Sequence, residues 1–346
     1  MNLGVSDTWA VPDFPYEPVG SPAVLDVPDA FLTAVRRGEL RTLTTPHRWM
    51  RGAVHDASGR LVVESQKIGG LVGNPSAPAD PPRVSPGDGA RRLSGRWLYG
   101  GNWMQHFGHF FIETVTTLWP RRAELELPVE GIVFHSYMSR FRGIEPWQLE
   151  LMALTEYAGV PLEVIEGRPL RVEHLVLPTR SVVVNGWAEP PAVDVWQRMA
   201  LAAGGRSDLD PAGPRVFFSR AAFNERKREA GKDARTEADR DRDLDATFAA
   251  AGFVVVAPEE LSIAEQVRLA ASASVLAGSA GTALHLSAFA PAGVKVLELG
   301  DRRSPAVRVP TQLLIDSARE HPTAFVPHGT PVADLAAALK ALGVSD

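Results

Sequence analysis

Two residues four apart, His109 and Glu113, form the first pairing in this chain whose types and spacing suit chemistry. They lie in NWMQHFGHFFIETVTTLWP, where Phe107, Phe110, Phe111, Thr114, Val115 and Leu118 recur at helical spacing and Pro120 closes the run. On a helix, positions i and i+4 share a face. A carboxylate bonded to one imidazole nitrogen fixes the tautomer and raises the basicity of the other, as a general base for a hydroxyl requires. The bland alternative is a histidine satisfied within an aromatic core.

A second group sits late in the chain. Arg220 ends the strand-like run VFFSR, where a guanidinium is suited to a phosphate. Asn224, Arg226, Lys227 and Arg228 follow in what reads as a long charged loop. The turn Gly278-Ser279-Ala280-Gly281-Thr282 stands between a strand and a helix, and there bare N–H groups and a helix N-terminus favour an anion, with His285 one turn further on. Glu298, near the end of VKVLELG, is placed to accept from ribose hydroxyls. Each has a structural alternative: an unpartnered surface arginine, a solvated charge run, a plain tight turn, a core histidine, a capped strand end. The spacing Asp239-x-Asp241-x-Asp243 resembles a divalent-metal motif, but its carboxylates alternate with arginines and open a helix, so an exposed acidic helix start is expected and no metal or cofactor is assigned. Neither G-x-G-x-x-G, a P-loop nor G-x-S-x-G occurs.

The elements that position these residues read as two α/β domains. The first ninety-odd residues (1–95) form a Pro-rich arm, to about Pro28, and short strands that pack on the first domain. A loop dense in Pro and Gly is expected from Asn74 to Gly89. Residues 96–205 form an acceptor-side domain: a helix over 102–119, strands at 131–135, 162–165 and 172–177, and helices at 145–158 and 191–203. Residues 206–214 are the linker. Residues 215–346 form a donor-binding domain with strands at 216–219, 254–257, 275–277 and 294–299. It also has a capping box from Ser262 to Glu265 and a last helix opened by Thr330-Pro331. Ligands of open α/β sheets bind at strand carboxyl ends, so the two site groups are expected to face each other across a cleft.

Composition narrows the class. The net charge of −5 argues against a nucleic-acid binder, and 45% apolar with 22% charged residues is ordinary for a globular protein. There is no cysteine, hence no disulfide, thiolate nucleophile or thiolate metal site. The first twenty residues show no signal-peptide pattern and no run approaches a bilayer span, so a cytoplasmic location is expected, with any membrane contact peripheral or through partners at the inner face.

Four stretches together resemble the family 61 glycosyltransferases: HFFIETVTTLWP, Phe218-Ser219-Arg220, Gly252 to Gln266, and Gly278 to Glu298. Two departures stand out. Many members carry His in the Gly-rich turn where this chain has Ala280, and the Asn that often follows the arginine-rich loop is not evident among 236–240. The resemblance implies a GT-B-type pair of Rossmann-like domains and inverting transfer from a nucleotide sugar, a UDP-sugar first, to a glycan or glycolipid. In bacterial relatives this serves capsular or surface polysaccharide synthesis. His109 and Glu113 are then the catalytic pair. Arg220, Asn224, Gly278, Ser279, Gly281, Thr282, His285 and Glu298 are the donor contacts, and their charge stands in for a metal. Two other classes compete: a catalytically degenerate nucleotide- or glycan-binding protein, and an unrelated nucleotide-sugar epimerase, against which the missing dinucleotide fingerprint counts.

Overall fold

The computed structural model describes residues 4–13, 20–41, 46–67, 70–71, 74–75, 84, 89–137, 143–184 and 186–344. The loop expected between 74 and 89 lies almost wholly outside them. The chain forms two compact units, one of Tyr16–Val195 and one of Met1–Pro15 with Trp196–Asp346.

In the Tyr16–Val195 unit the strands are β1 (Val24–Leu32), β2 (Arg36–Arg41), β3 (Pro46–Arg51), β4 (Val54–His55), β5 (Gly70–Leu71), β6 (Asn74–Pro75), β7 (Arg91–Trp103), β8 (Gly131–Ser136), β9 (Leu162–Ile165), β10 (Leu170–Pro178), β11 (Val182–Val183) and β12 (Trp187–Ala188). Six make one mixed sheet in the order β4-β1-β10-β7-β8-β9, and the others pair off as β2–β3, β5–β6 and β11–β12. β1 runs antiparallel to β10, whereas β10, β7, β8 and β9 are parallel. The early strands are thus part of the sheet, not an extension packed on it, because Val27, Ala30 and Leu32 share a core with Val172, Leu175 and Leu177 of β10. The stretch to Pro28 read as an arm already enters β1.

The helix expected over 102–119 starts later. β7 continues to Trp103, and α1 covers 107–118 as an α-turn (Phe107–His109), a π-turn (Phe110–Thr114) and a 3-10 turn (Val115–Leu118). Hydroxyls explain part of this: Thr116 and Thr117 donate to the carbonyls of Ile112 at 2.6 Å and Glu113 at 2.9 Å, competing with the regular ladder. Short π-turns occur often at functional sites. Helix α2 (Pro146–Ala153) is shorter than the expected 145–158, and α3 is Pro190–Ala202. The two compact units divide within α3, between Val195 and Trp196.

The second unit holds β13 (Arg215–Phe218), α4 (Ala221–Glu229), α5 (Ala238–Ala250), β14 (Val254–Val256), α6 (Ile263–Ser272), β15 (Val275–Ser279), β16 (Lys295–Leu299), α7 (Pro310–Ala318), β17 (Thr323–Val326) and α8 (Val332–Ala341). Its sheet is all parallel with order β14-β13-β15-β16-β17. Read by chain position this is 2-1-3-4-5, so the winding reverses between β13 and β15. One face packs on α5 and α8 through Phe217, Phe248, Leu335 and Leu339, with the rings of Phe217 and Phe248 stacked 4.0 Å apart. The capping box is present: Glu265 N donates to Ser262 Oγ at 3.3 Å and Ser262 N to Glu265 Oε2 at 2.9 Å.

Three sequence expectations change here. Residues 221–229, read as loop, are helix α4. Pro331 caps α8 rather than occupying its first turn. The N-terminal arm belongs to this unit: Ser6 N donates to Phe325 O at 2.9 Å, Ala10 bridges Thr323, and Trp9 Nε1 donates to Leu342 O at 3.0 Å. It therefore covers the exposed edge of β17.

Candidate active site

The bulge that ends β7 places the first group. The β7–β8 register shifts between Tyr99 and Asn102. Gly100 is required there, since a Cβ would lie 2.0 Å from the Phe134 ring, and Gly101 adopts φ +74°. Such bulges re-aim a strand next to a site. Thr114 then ties α1 to the strand end, donating to Asn102 O at 2.7 Å and accepting from Met104 N at 3.2 Å. Trp103 packs edge-on against Phe110 at 4.8 Å and Phe134 at 4.9 Å.

On this base, His109 Nδ1 meets Glu113 Oε1 at 2.6 Å. The imidazole is 44% exposed and the carboxylate 5%. Burial pushes the Glu113 carboxyl up, yet the Lys67 ammonium and the His109 hydrogen bond outweigh it and hold it at about 2. An ionised Glu113 only accepts, so Nδ1 carries the proton of this bond. Lys67, which forms an ion pair with Glu113 Oε2, was not singled out by the sequence. Forty-six positions separate the two, and no local pattern links them. Arg180 completes the polar floor, donating to Gln66 O at 2.9 Å and Asn102 Oδ1 at 2.7 Å.

The second group lies at the carboxyl ends of β13 and β15, where the sheet winding reverses. Gly281 has φ +129°, and a Cβ on it would stand 2.7 Å from Arg235 Nη1, 3.2 Å from Arg220 Nη1 and 3.5 Å from Arg303 Nη2. Three guanidiniums thus converge on one glycine. The one carboxylate paired with them among the described residues is buried Asp301, 3.2 Å from Arg303 and 3.8 Å from Arg235. Desolvation and the neighbouring Arg220 and Arg303 charges push Arg235 down to about 10. Burial also pushes Arg220 down, and its Nε is buried with no hydrogen-bond partner. Phe223 lies under Arg220 at 5.2 Å and under Lys227 at 5.4 Å. An excess of desolvated positive charge, aimed at a glycine surface, fits an anion with several oxygens.

The other expected donor contacts are placed differently. Gly278 and Ser279 close β15, and Thr282 follows Gly281 in the turn. The element after the turn is a six-residue 3-10 helix, Leu284–Phe289, so the helix dipole expected there is not available and arginine charge takes its place. Asn224 is fully buried and its amide donates to Thr236 at 2.7 Å and to Asp241, fastening α4 to α5. Asp241 is correspondingly buried, not solvated, and binds Arg228 at 2.6 Å. Glu298 spends both oxygens internally, on Arg308 Nε at 2.9 Å and Val309 N at 3.0 Å, which leaves ribose binding without an acceptor there. His285 Nδ1 meets Gln312 Oε1 at 2.8 Å within the same buried network. Arg235 and Arg303 were missed because they enter from separate loops, 46 and 22 positions from Gly281. Among the described residues no group of three or more carboxylates or imidazoles is arranged for a metal.

That buried network makes its own prediction. Among the described residues Arg308 is the cation shared by two buried carboxylates, Glu298 and Asp316, the latter at 2.6 Å. Burial and the Glu298 charge outweigh Arg308 and push Asp316 from 3.8 to about 7. The folded state then keeps a proton that the unfolded chain releases, so this group costs stability increasingly as pH rises from about 4 to 7. Asp316→Asn is expected to flatten that slope, measured as the difference in denaturant midpoint between the two proteins at pH 5 and pH 7.

The sequence model described as Glycosyltransferase 61 matches residues 107–297. The chain belongs to glycosyltransferase family 61. The match opens on α1 and ends in β16, taking in His109, Glu113, Arg220, Arg235 and Gly281. No curated protein matches the chain. A glycosyltransferase of this family moves sugar from a donor to an acceptor; Lys67, Asp301 and Arg303 of the two site groups lie outside the matched region. No helix among the described residues is long and apolar enough to cross a membrane.

Proposed function

We propose that this family 61 glycosyltransferase transfers a sugar from a nucleoside diphosphate sugar, a UDP-sugar first among them, to a hydroxyl of a glycan or glycolipid, with inversion. The observation that carries the reading is the convergence of Arg220, Arg235 and Arg303 on Gly281 at the winding reversal of a parallel sheet. In this reading the acceptor hydroxyl gives its proton to His109 Nε2 as its oxygen attacks the anomeric carbon. The bond from that carbon to the diphosphate breaks, its electron pair leaves with the terminal phosphate oxygen, and the guanidiniums neutralise the charge. A divalent metal is then dispensable. Gly278, Ser279 and Thr282 shape the turn beneath the diphosphate. Asn224, His285 and Glu298 act as packing groups around it.

The way Glu113 is held supports the inverting reading. Retention by double displacement needs a carboxylate nucleophile open to the anomeric carbon. Glu113 is buried, with one oxygen on His109 and the other on Lys67. The family resemblance supports a GT-B-type pairing of the two units, and a cytoplasmic role in bacterial surface polysaccharide synthesis belongs to the same proposal.

A thermal-shift screen against UDP-, GDP-, dTDP- and CMP-sugars, with magnesium or EDTA, tests it. One nucleoside diphosphate sugar is expected to stabilise the protein, by about 2.7 kcal/mol at a hundred times its Kd, equally in EDTA. CMP-sugars, with one phosphate, should shift it less. No response to any diphosphate sugar would sink the donor assignment. A response without turnover would instead favour a degenerate binding protein.

A further inference from the structure

We infer that Lys67 is a positioning residue of the catalytic base, its ammonium gripping Oε2 of Glu113 while Oε1 takes the Nδ1–H of His109. The inference rests on the reading of His109 as base, and it adds a third member that arrives from another element. The 3-10 turn Val63–Ser65 delivers Lys67, and three bonds fix its place: Ser65 Oγ donates to Val62 O at 2.7 Å, Val54 N donates to Ser65 Oγ at 3.1 Å, and Arg180 Nε donates to Gln66 O at 2.9 Å. The ammonium also lies over the Tyr137 ring at 5.3 Å. One buried polar floor, spanning β7, β4 and α1, thus sets where this cation stands.

Two consequences follow for the base. A carboxylate held at one oxygen alone is free to turn, whereas one held at both presents a fixed acceptor to the imidazole and so a fixed tautomer. The ammonium also offsets part of the Glu113 charge. Imidazolium formed on proton transfer is then stabilised less than beside a bare carboxylate, which eases release of the proton after each turnover. Among the described residues, the other groups facing this pair are His106, whose ring lies 5.3 Å from that of His109, and Tyr137 and Arg180, both of which sense the Glu113 charge. Among the described residues Lys67 is the ammonium that pairs with the carboxylate, so the effect of its removal is read there.

The test is a 13C NMR titration of the Glu113 side-chain carboxyl, assigned with Glu113→Gln. In Lys67→Met the midpoint, held at about 2 in the wild type, is expected to rise by about one unit or more, because burial is no longer opposed by the ammonium. Lys67→Arg should restore most of the depression. If Lys67→Met does not fold, Lys67→Gln carries the same measurement, since it too removes the charge. A Glu113 midpoint unchanged in the folded neutral variant would overturn the inference. Failure of the base reading is separately visible: full turnover in His109→Ala would remove Lys67 from catalysis while leaving the Glu113 titration shifted.

Discussion

His109→Ala lowers kcat by about 10²- to 10⁴-fold, the usual worth of a positioned general base, and leaves the Kd for the donor nucleotide unchanged. The imidazole combines exposure with a hydrogen bond to an ionised carboxylate. Glu113 is buried and bonded at both oxygens, and Lys67 is spent on it. In this reading the groups that hold the diphosphate are the three guanidiniums around Gly281, so donor binding is expected to follow them and not His109. Donor Kd by calorimetry beside steady-state kinetics checks both halves. A variant that keeps its turnover shows that another group takes the acceptor proton, and one that loses donor binding as well makes His109 part of the donor site.

Arg235→Ala weakens donor binding by about 10- to 100-fold, from the loss of a charge-assisted bond worth about 1.5–3 kcal/mol, and raises the stability of the unliganded protein. The second half is the more diagnostic. Arg235 is held beside two other guanidiniums with Asp301 as its one carboxylate partner among the described residues, and its charged form is disfavoured, down to about 10. A cation kept in such company is strained in the free protein and relieved by an anion, as expected where function is selected over stability. Removing it should lift the thermal midpoint of the free protein and shrink the shift produced by the donor. Raised salt should weaken wild-type donor binding, since the attraction is screened. An Arg235→Ala protein that is less stable, with donor affinity intact, would make the cluster a structural device and overturn its assignment to phosphate.

The sequence by itself determined what depends on neighbours along the chain. A parallel sheet was legible in the short apolar runs separated by helical patterns, and its strand at 295–299 fell within one residue of expectation. The His109–Glu113 pair was legible because four positions return to one helix face, and the Ser262 cap because its two partners are three residues apart. The Gly281 turn was visible, as was Arg220 at a strand end. Tertiary structure alone decided which charges those residues meet. Asn224 and Glu298 have the right chemistry for a donor, but burial had already matched them to Asp241 and Arg308, since a buried polar group must find an internal partner. Lys67, Arg235 and Arg303 reach the two sites from turns whose sequences carry no period, and they matter only because the folded chain brings distant segments within a few ångströms. The mixed turns of α1 were invisible for a related reason: apolar spacing does not separate α, π and 3-10 winding, whereas threonine hydroxyls bonded to backbone carbonyls accompany the change of winding in the folded chain.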